Sequence, residues 1–382
     1  MSLDLRLLDD EETVELVRSV VGDPTARVGG WVVECVDYAF GSPTTGGLFR
    51  IRGTATVSTA EVSWSLFVKL VHSYRHWPLL DVLPPQLRER ALDGVAWRYE
   101  VDVYTAGLGD ALPDGLRLPH VHRVKDLGDD RMVLVLEDVL TSAAAWDTAR
   151  FARAAYLLGR LAARLTRHDV LPASASWTPG EVTGIHYTGR VLVAALPALD
   201  DDLTWTHPLL TANRDLRTDL LELARRVPAI LDALARLPQV LMHGDASPQN
   251  LLVPVAEPNS FVAIDWTLGG LAAVGDDLGQ LLVGLTHAGH LLPAALPALR
   301  EVIVRAYAVG LAEEDLSVDE AAVRYGLDGG LVVRSAFTAL PLERLREPLT
   351  EELAGLVQAR LQLTRYLVDL GLALPHPFPA PP

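Results

Sequence analysis

The segment Leu241-Met242-His243-Gly244-Asp245-Ala246-Ser247-Pro248-Gln249-Asn250-Leu251-Leu252-Val253 puts a carboxylate five residues before an amide. A second carboxylate, Asp265, ends the apolar run Phe261-Val262-Ala263-Ile264 twenty residues after the first. These types in this order suit phosphoryl transfer, which asks little covalent chemistry of a protein. The acceptor hydroxyl must be aimed in line, and the negative oxygens must be neutralised by metal. A loop carboxylate such as Asp245 can take the hydroxyl's hydrogen bond. An amide a few residues on, Asn250, can offer its carbonyl oxygen to a metal, and Asp265 can bind that metal too. Magnesium prefers such hard oxygens together with nucleotide phosphates and water.

Protein kinases carry the same order in an H-R-D loop with Asn five positions on, followed by D-F-G. Here Gly244 stands in place of the Arg and Trp266 in place of the Phe. The chain thus departs from protein kinases and resembles the aminoglycoside phosphotransferase and choline kinase-like families, whose loop reads His-Gly-Asp with Asn five after the Asp. Those families also carry an Asp-Leu or Asp-Ile pair about a dozen residues beyond the metal Asp, where Asp277-Leu278 stands.

The resemblance implies an α+β, bilobal protein-kinase-like fold and magnesium-dependent transfer of the γ-phosphate of ATP, or GTP, to a hydroxyl of a small molecule such as an aminoglycoside, amino sugar or sugar. Asp245 would be catalytic, Asn250 and Asp265 metal ligands, His243 an orienting residue and Asp277 a brace for the loop. It implies further a strand lysine paired with a helix glutamate to hold the nucleotide phosphates. Lys69, in Leu66-Phe67-Val68-Lys69, is one of only two lysines, with Lys125. In a chain that writes Arg almost everywhere, a compact ammonium at a strand end is informative. Glu100 takes the glutamate position, with Glu89 as the competitor. Val133 to Val139 resembles the hinge of these families, whose backbone around Glu137 and Val139 would hold adenine. The loop from Gly41 to Gly47 could cover phosphates with its N–H groups, although it is no G-x-G-x-x-G. Resistance enzymes of the family usually have Gly two residues after the metal Asp and an acid eight after it. Thr267 and Ala273 occupy those places, which leaves amino sugars, other sugars, amino alcohols and secondary metabolites open as acceptors.

Alternation from Trp31 to Val71 predicts a three-stranded antiparallel meander ending on Lys69. Pro84-Pro85 opens one helical segment running to Gly107, and Gly128-Asp129-Asp130 marks a hairpin between His120–Lys125 and Met132–Leu136. Apolar stripes predict helices over Phe151–His168 and Leu216–Leu237. Between them, Leu171 to Leu210 reads as irregular, with Trp177, His186, Tyr187, Trp205 and His207 in it; packing explains these aromatic residues as well as ligand contact does. The expected division is a nucleotide-binding N-lobe over 1–138 and a C-lobe over 139–382 with the catalytic loop, metal site and acceptor pocket, ligands lying in the cleft. The end, Pro375 to Pro382, reads as a loose tail.

At 382 residues and a formal charge of −16, the chain can bury a large core and lacks the basic clusters a nucleic-acid binder needs. Its lone Cys35 forms no internal disulfide. No run has the roughly 20 clean apolar residues of a membrane span, and no secretion signal is evident, so no membrane is expected and the cytoplasm is the expected compartment. Two alternatives accompany the kinase reading. A catalytically silent kinase-like binding protein would break the lysine or a metal residue, and this chain keeps them. A protein kinase would carry an A-P-E segment after Asp265, and none is present.

Overall fold

The computed structural model describes residues 7–37, 42–93, 96–142, 145–167 and 181–375. Trp177, Gly41 and the 376–382 tail lie outside them. The chain divides into two compact units, one comprising 1–109, 118–141 and 254–256, the other 110–117, 142–253 and 257–382.

The first unit opens with α1 (Asp10–Val21), which sequence analysis missed. Its signal was present as a capping box, Asp9 and Glu12 each bonding the other's backbone N–H, with Leu16 and Val17 buried four and five residues on. Strands β1 (Arg27–Cys35), β2 (Thr45–Val57) and β3 (Ala60–His72) form the expected meander. The supposed loop to Gly47 is shorter than expected, because β2 already begins at Thr45 with a register shift before Gly47.

The single helix expected after Pro84 is two, α2 (Pro85–Asp93) and α3 (Tyr99–Thr105), with Gly94, a poor helix former, between them in sequence. β4 (Leu116–Arg117) belongs to the other unit. β5 (Val121–Gly128) and β6 (Arg131–Glu137) complete a five-stranded sheet ordered β1-β2-β3-β6-β5. Their link is the expected tight turn, with Asp129 and Asp130 both left-handed at φ 54 and 50, as a two-residue primed turn requires. The period of two along β3 decides the rest. Leu66, Val68 and Leu70 point to the face where Leu16 and Val17 of α1 pack with Phe49, Ile51, Val133 and Val135. Lys69, out of phase with them, points to the other face.

In the second unit α4 (Thr148–Arg167) buries Leu157, Leu158, Leu161 and Leu165 on one stripe. The stretch expected to be irregular is largely helical where it is described: α5 (Glu181–His186), a π-helical run Tyr187–Ala195, and α6 (Leu196–Asp200) with Pro197 in its first turn. Gly184, Gly189 and Pro197, residues that ordinarily disfavour a helix interior, hid that helicity. After α7 (Asp215–Arg236), which contains Pro228, come four short strands: β7 (Gln239–Met242), β8 (Leu251–Leu252), β9 (Phe261–Ala263) and β10 (Gly270–Ala273). β10 pairs with β7, while β9 lies between β4 and β8. Helices α8 (Leu278–His287), α9 (Leu296–Glu313), α10 (Glu320–Ser335) and α11 (Glu351–Leu372) follow. No helix among the described residues is long and apolar enough to cross a membrane.

Candidate active site

Two short strand pairs hold the loop residues in place. β7, locked to β10 through the Met242–Gly270 register, delivers His243-Gly244-Asp245 at its end. β8 and β9 pair Leu251 with Ala263, so Asn250, one residue outside that ladder, and Asp265, two residues outside it, come to the same end; the Ile264 N–H donates to the Asn250 carbonyl at 3.0 Å.

Gly244 has φ +86, and a Cβ there would lie 1.8 Å from the carbonyl oxygen of Leu268. Only glycine fits, which accounts for the replacement of the kinase arginine. The carboxylate of Asp277 accepts from both His243 N–H (2.9 Å) and Gly244 N–H (2.8 Å), gripping the loop from below. Burial pushes this carboxyl up to about 7, the two amide bonds acting against it.

His243 is fully buried and sits against the Trp266 ring at 4.4 Å between centroids. Its Nδ1 accepts from the Asp245 N–H (3.2 Å), which makes Nε2 the protonated nitrogen, donating to the Ile264 carbonyl (2.9 Å). Burial pushes its pKa down to about 4, so the imidazole is a neutral spacer between the two carboxylate-bearing segments.

Asn250 donates through Nδ2 to both the backbone oxygen and Oδ2 of Asp245, at 2.9 and 3.1 Å. Its nitrogen is thereby turned to Asp245, and the carbonyl oxygen is the atom left to meet a cation. Asp265 adopts the left-handed φ of +58, a conformation Asp tolerates better than most residues, and its Oδ1 accepts from Thr267 Oγ1 at 2.9 Å. An amide oxygen and a carboxylate suit magnesium, which takes few protein ligands and fills its shell with phosphate and water. Among the described residues no group of three or more His, Cys, Asp or Glu could hold a metal ion. Burial raises the Asp245 carboxyl; the charge of Arg334, a residue the sequence reading did not single out, is the largest influence opposing it.

The first unit holds its own buried constellation. Lys69 Nζ lies 2.6 Å from Glu100 Oε2, their side chains 7% and 3% exposed. Glu89 is exposed on α2. Glu137 ends β6, its N–H donating to the His120 carbonyl (2.8 Å) and its Oε2 accepting from the His120 N–H (3.1 Å). Val139 has no backbone hydrogen bond among the described residues. Between the two, Asp138 receives Arg50 Nε on both oxygens, at 2.9 and 2.8 Å, a tie from β2 that sequence reading missed.

The five-stranded antiparallel sheet with its buried Lys–Glu pair, and a helical unit carrying the His-Gly-Asp loop, define an α+β protein-kinase-like fold. Within it, residues 140–317 match the model of the phosphotransferase enzyme family, APH, a span containing the whole His-Gly-Asp loop, Asn250, Asp265 and Asp277. The resemblance seen in the sequence therefore holds across that span. Among solved structures the chain is similar to amicoumacin kinase hAmiN, in complex with AMP-PNP, Ca2+ and Ami, at 12% identity over 97% of this chain and 96% of that one, with a TM-score of 0.52. It is similar also to APH(2")-IIia in a GDP and kanamycin complex, at 14% identity over 94% and 98% of the two chains with a TM-score of 0.47. Spectinomycin phosphotransferase APH(9)-Ia follows at 12% identity over 96% and 98%, with a TM-score of 0.46. The fold likeness rests on the first of these. No curated protein matches. The family match points to a phosphotransferase, and the fold agrees with it.

Proposed function

We propose that the protein transfers the γ-phosphate of ATP, or of GTP, to a hydroxyl of a small molecule, with magnesium. The observation that carries the reading is the coupling of Asp245 to Asn250: one side-chain amide fixes the carboxylate by its nitrogen while its oxygen stays available as a hard ligand. In this reading Asp245 accepts the hydrogen bond of the acceptor hydroxyl and aims it in line. Asn250 and Asp265 hold magnesium, which when bound neutralises charge on the phosphates. Lys69, oriented by Glu100, meets phosphate oxygens, and the hinge backbone from Glu137 to Val139 meets the base. His243 stays neutral and keeps the Asp245 and Asp265 segments in register.

The amicoumacin kinase of like fold was solved with AMP-PNP and Ca2+, so a nucleotide and a divalent ion are the first ligands to try. Amino sugars, neutral sugars, amino alcohols and aminoglycosides are the acceptor classes we put forward. The cytoplasm, which supplies the nucleotide, is the compartment that goes with this reading. Nucleotide turnover measured with magnesium across a panel of those acceptors tests it: acceptor-dependent turnover supports a kinase, and tight nucleotide binding with silence throughout the panel would favour a catalytically silent binder instead.

A further inference from the structure

Arg334, in the last turn of α10, reaches the catalytic loop from a part of the chain remote in sequence. Its Nη1 donates to the Gly244 carbonyl at 2.5 Å and its Nη2 to Asp245 Oδ1 at 3.1 Å. The two Asp245 oxygens are thus divided, Oδ1 facing Arg334 and Oδ2 facing Asn250. The carbonyl of Arg334 is itself held by His186 Nε2 at 2.9 Å and Thr338 Oγ1 at 3.1 Å.

The helix bearing Arg334 is pressed onto the turn bearing Asp277. A Cβ at Gly326 would stand 1.9 Å from the Val274 carbonyl oxygen, one at Gly330 2.2 Å from Asp276 Oδ1, and one at Gly275 2.2 Å from the Val323 carbonyl oxygen. Contact that close leaves α10 and the 274–277 turn little room to shift against each other. Asp277 on the turn takes the Gly244 N–H, and Arg334 on the helix takes the Gly244 C=O. A single peptide position is clamped on both sides by one packed block, and Arg334 alone extends that clamp to the reacting carboxylate.

We propose that Arg334 is a positioning residue for phosphoryl transfer: it sets the direction of the Asp245 carboxylate, a role resting on the phosphotransferase reading above. The planar fork is what the geometry uses, since two nitrogens reach two oxygens at once. Lysine keeps the charge and three donors but gathers them on one nitrogen, so it cannot reproduce the two-nitrogen fork.

The test compares wild type, Arg334→Met and Arg334→Lys with the acceptor that gives wild-type turnover, recording kcat, the KM values for nucleotide and acceptor, and melting temperature. The expected result is a kcat loss of about 100-fold for Arg334→Met, the scale of an ångström-sized misplacement, with both KM values within about twofold. Arg334→Lys should lose about tenfold, and added guanidinium should raise kcat of Arg334→Met several-fold, which repair of folding alone would not do. If Arg334→Met does not fold, the Lys variant and its kcat-against-KM split carry the decision. Folded variants with wild-type kcat, or losses that guanidinium leaves untouched, overturn the assignment of Arg334. Silence of the wild type with every acceptor removes the phosphotransferase reading itself and the role of Arg334 with it.

Discussion

Replacing Gly244 by Ala is the smallest perturbation that strikes the loop. The added Cβ would lie 1.8 Å from the Leu268 oxygen, 2.3 Å from its carbonyl carbon and 2.9 Å from the Gly269 nitrogen, all backbone atoms that cannot rotate away. An ordinary carbon–oxygen contact is about 3.3 Å, so one backbone must retreat by roughly 1.5 Å. The retreat pulls Gly244 N–H off Asp277 and its carbonyl off Arg334. A left-handed φ adds about 1–2 kcal/mol for a residue with a side chain. With a buried acceptor left unsatisfied, the expected loss of stability is about 3 kcal/mol. Displacement on that scale should cost kcat about 100-fold or more. Thermal melting and acceptor-dependent turnover measure both effects. Gly355→Ala is the control, because a Cβ there meets nothing within 4 Å and the site lies inside α11; it should be neutral or stabilising by up to about 1 kcal/mol. A Gly244→Ala protein with wild-type melting and wild-type kcat would refute the reasoning.

Glu100→Ala removes the carboxylate beside a buried ammonium and should cost about 3–5 kcal/mol in denaturant unfolding, whereas Lys69→Met with Glu100→Leu should regain much of that; equal instability of single and double variants would contradict a buried pair. Thr267→Val removes the hydroxyl that orients Asp265 and should raise the magnesium needed for half-maximal turnover about tenfold at unchanged nucleotide KM, read from magnesium titrations. Burial holds His186 and His287 at about 3 and His243 at about 4, below the usual 6.5. Unfolding then takes up protons between those values and 6.5, so these groups make stability fall as pH drops through that window. Asp276 and Asp277, raised to about 6 and 7, act in the opposite direction, costing stability as pH rises from about 4 toward those values. His287→Leu should therefore lessen the rise of stability with pH between 4.5 and 6.5 by up to about 1.4 kcal/mol per pH unit, most at the acid end, and an unchanged slope in chemical denaturation would rule this out.

The grouping of the candidate residues was legible because it is local. Asp245, Asn250 and Asp265 lie within a short span, and two strand pairs of minimal length suffice to gather them, so spacing alone foretold the grouping. Lys69 stood out by its rarity and by the alternation of β3. Arg334 carried no such signal: it is one arginine among many, on a helix far along the chain, and its contact with the loop depends on glycines on both partners that let α10 approach the 274–277 turn. The split of the expected helix into α2 and α3 and the helicity of 181–200 were obscured for one reason. Gly and Pro mark breaks in sequence, but helical backbone runs straight through Pro197, whereas Gly94 falls between two helices in sequence. The α1 helix shows the converse, a capping box whose meaning appears only once Leu16 and Val17 are seen covering the sheet.

The most direct test of the central claim is Asp245→Asn, which keeps the shape of the side chain and removes the charge that, on the proposed reading, receives the acceptor hydroxyl. Acceptor-dependent nucleotide turnover with magnesium should fall by at least about 100-fold while nucleotide binding and melting temperature stay close to wild type. An Asn variant that folds normally and turns over nucleotide at the wild-type rate would contradict the account.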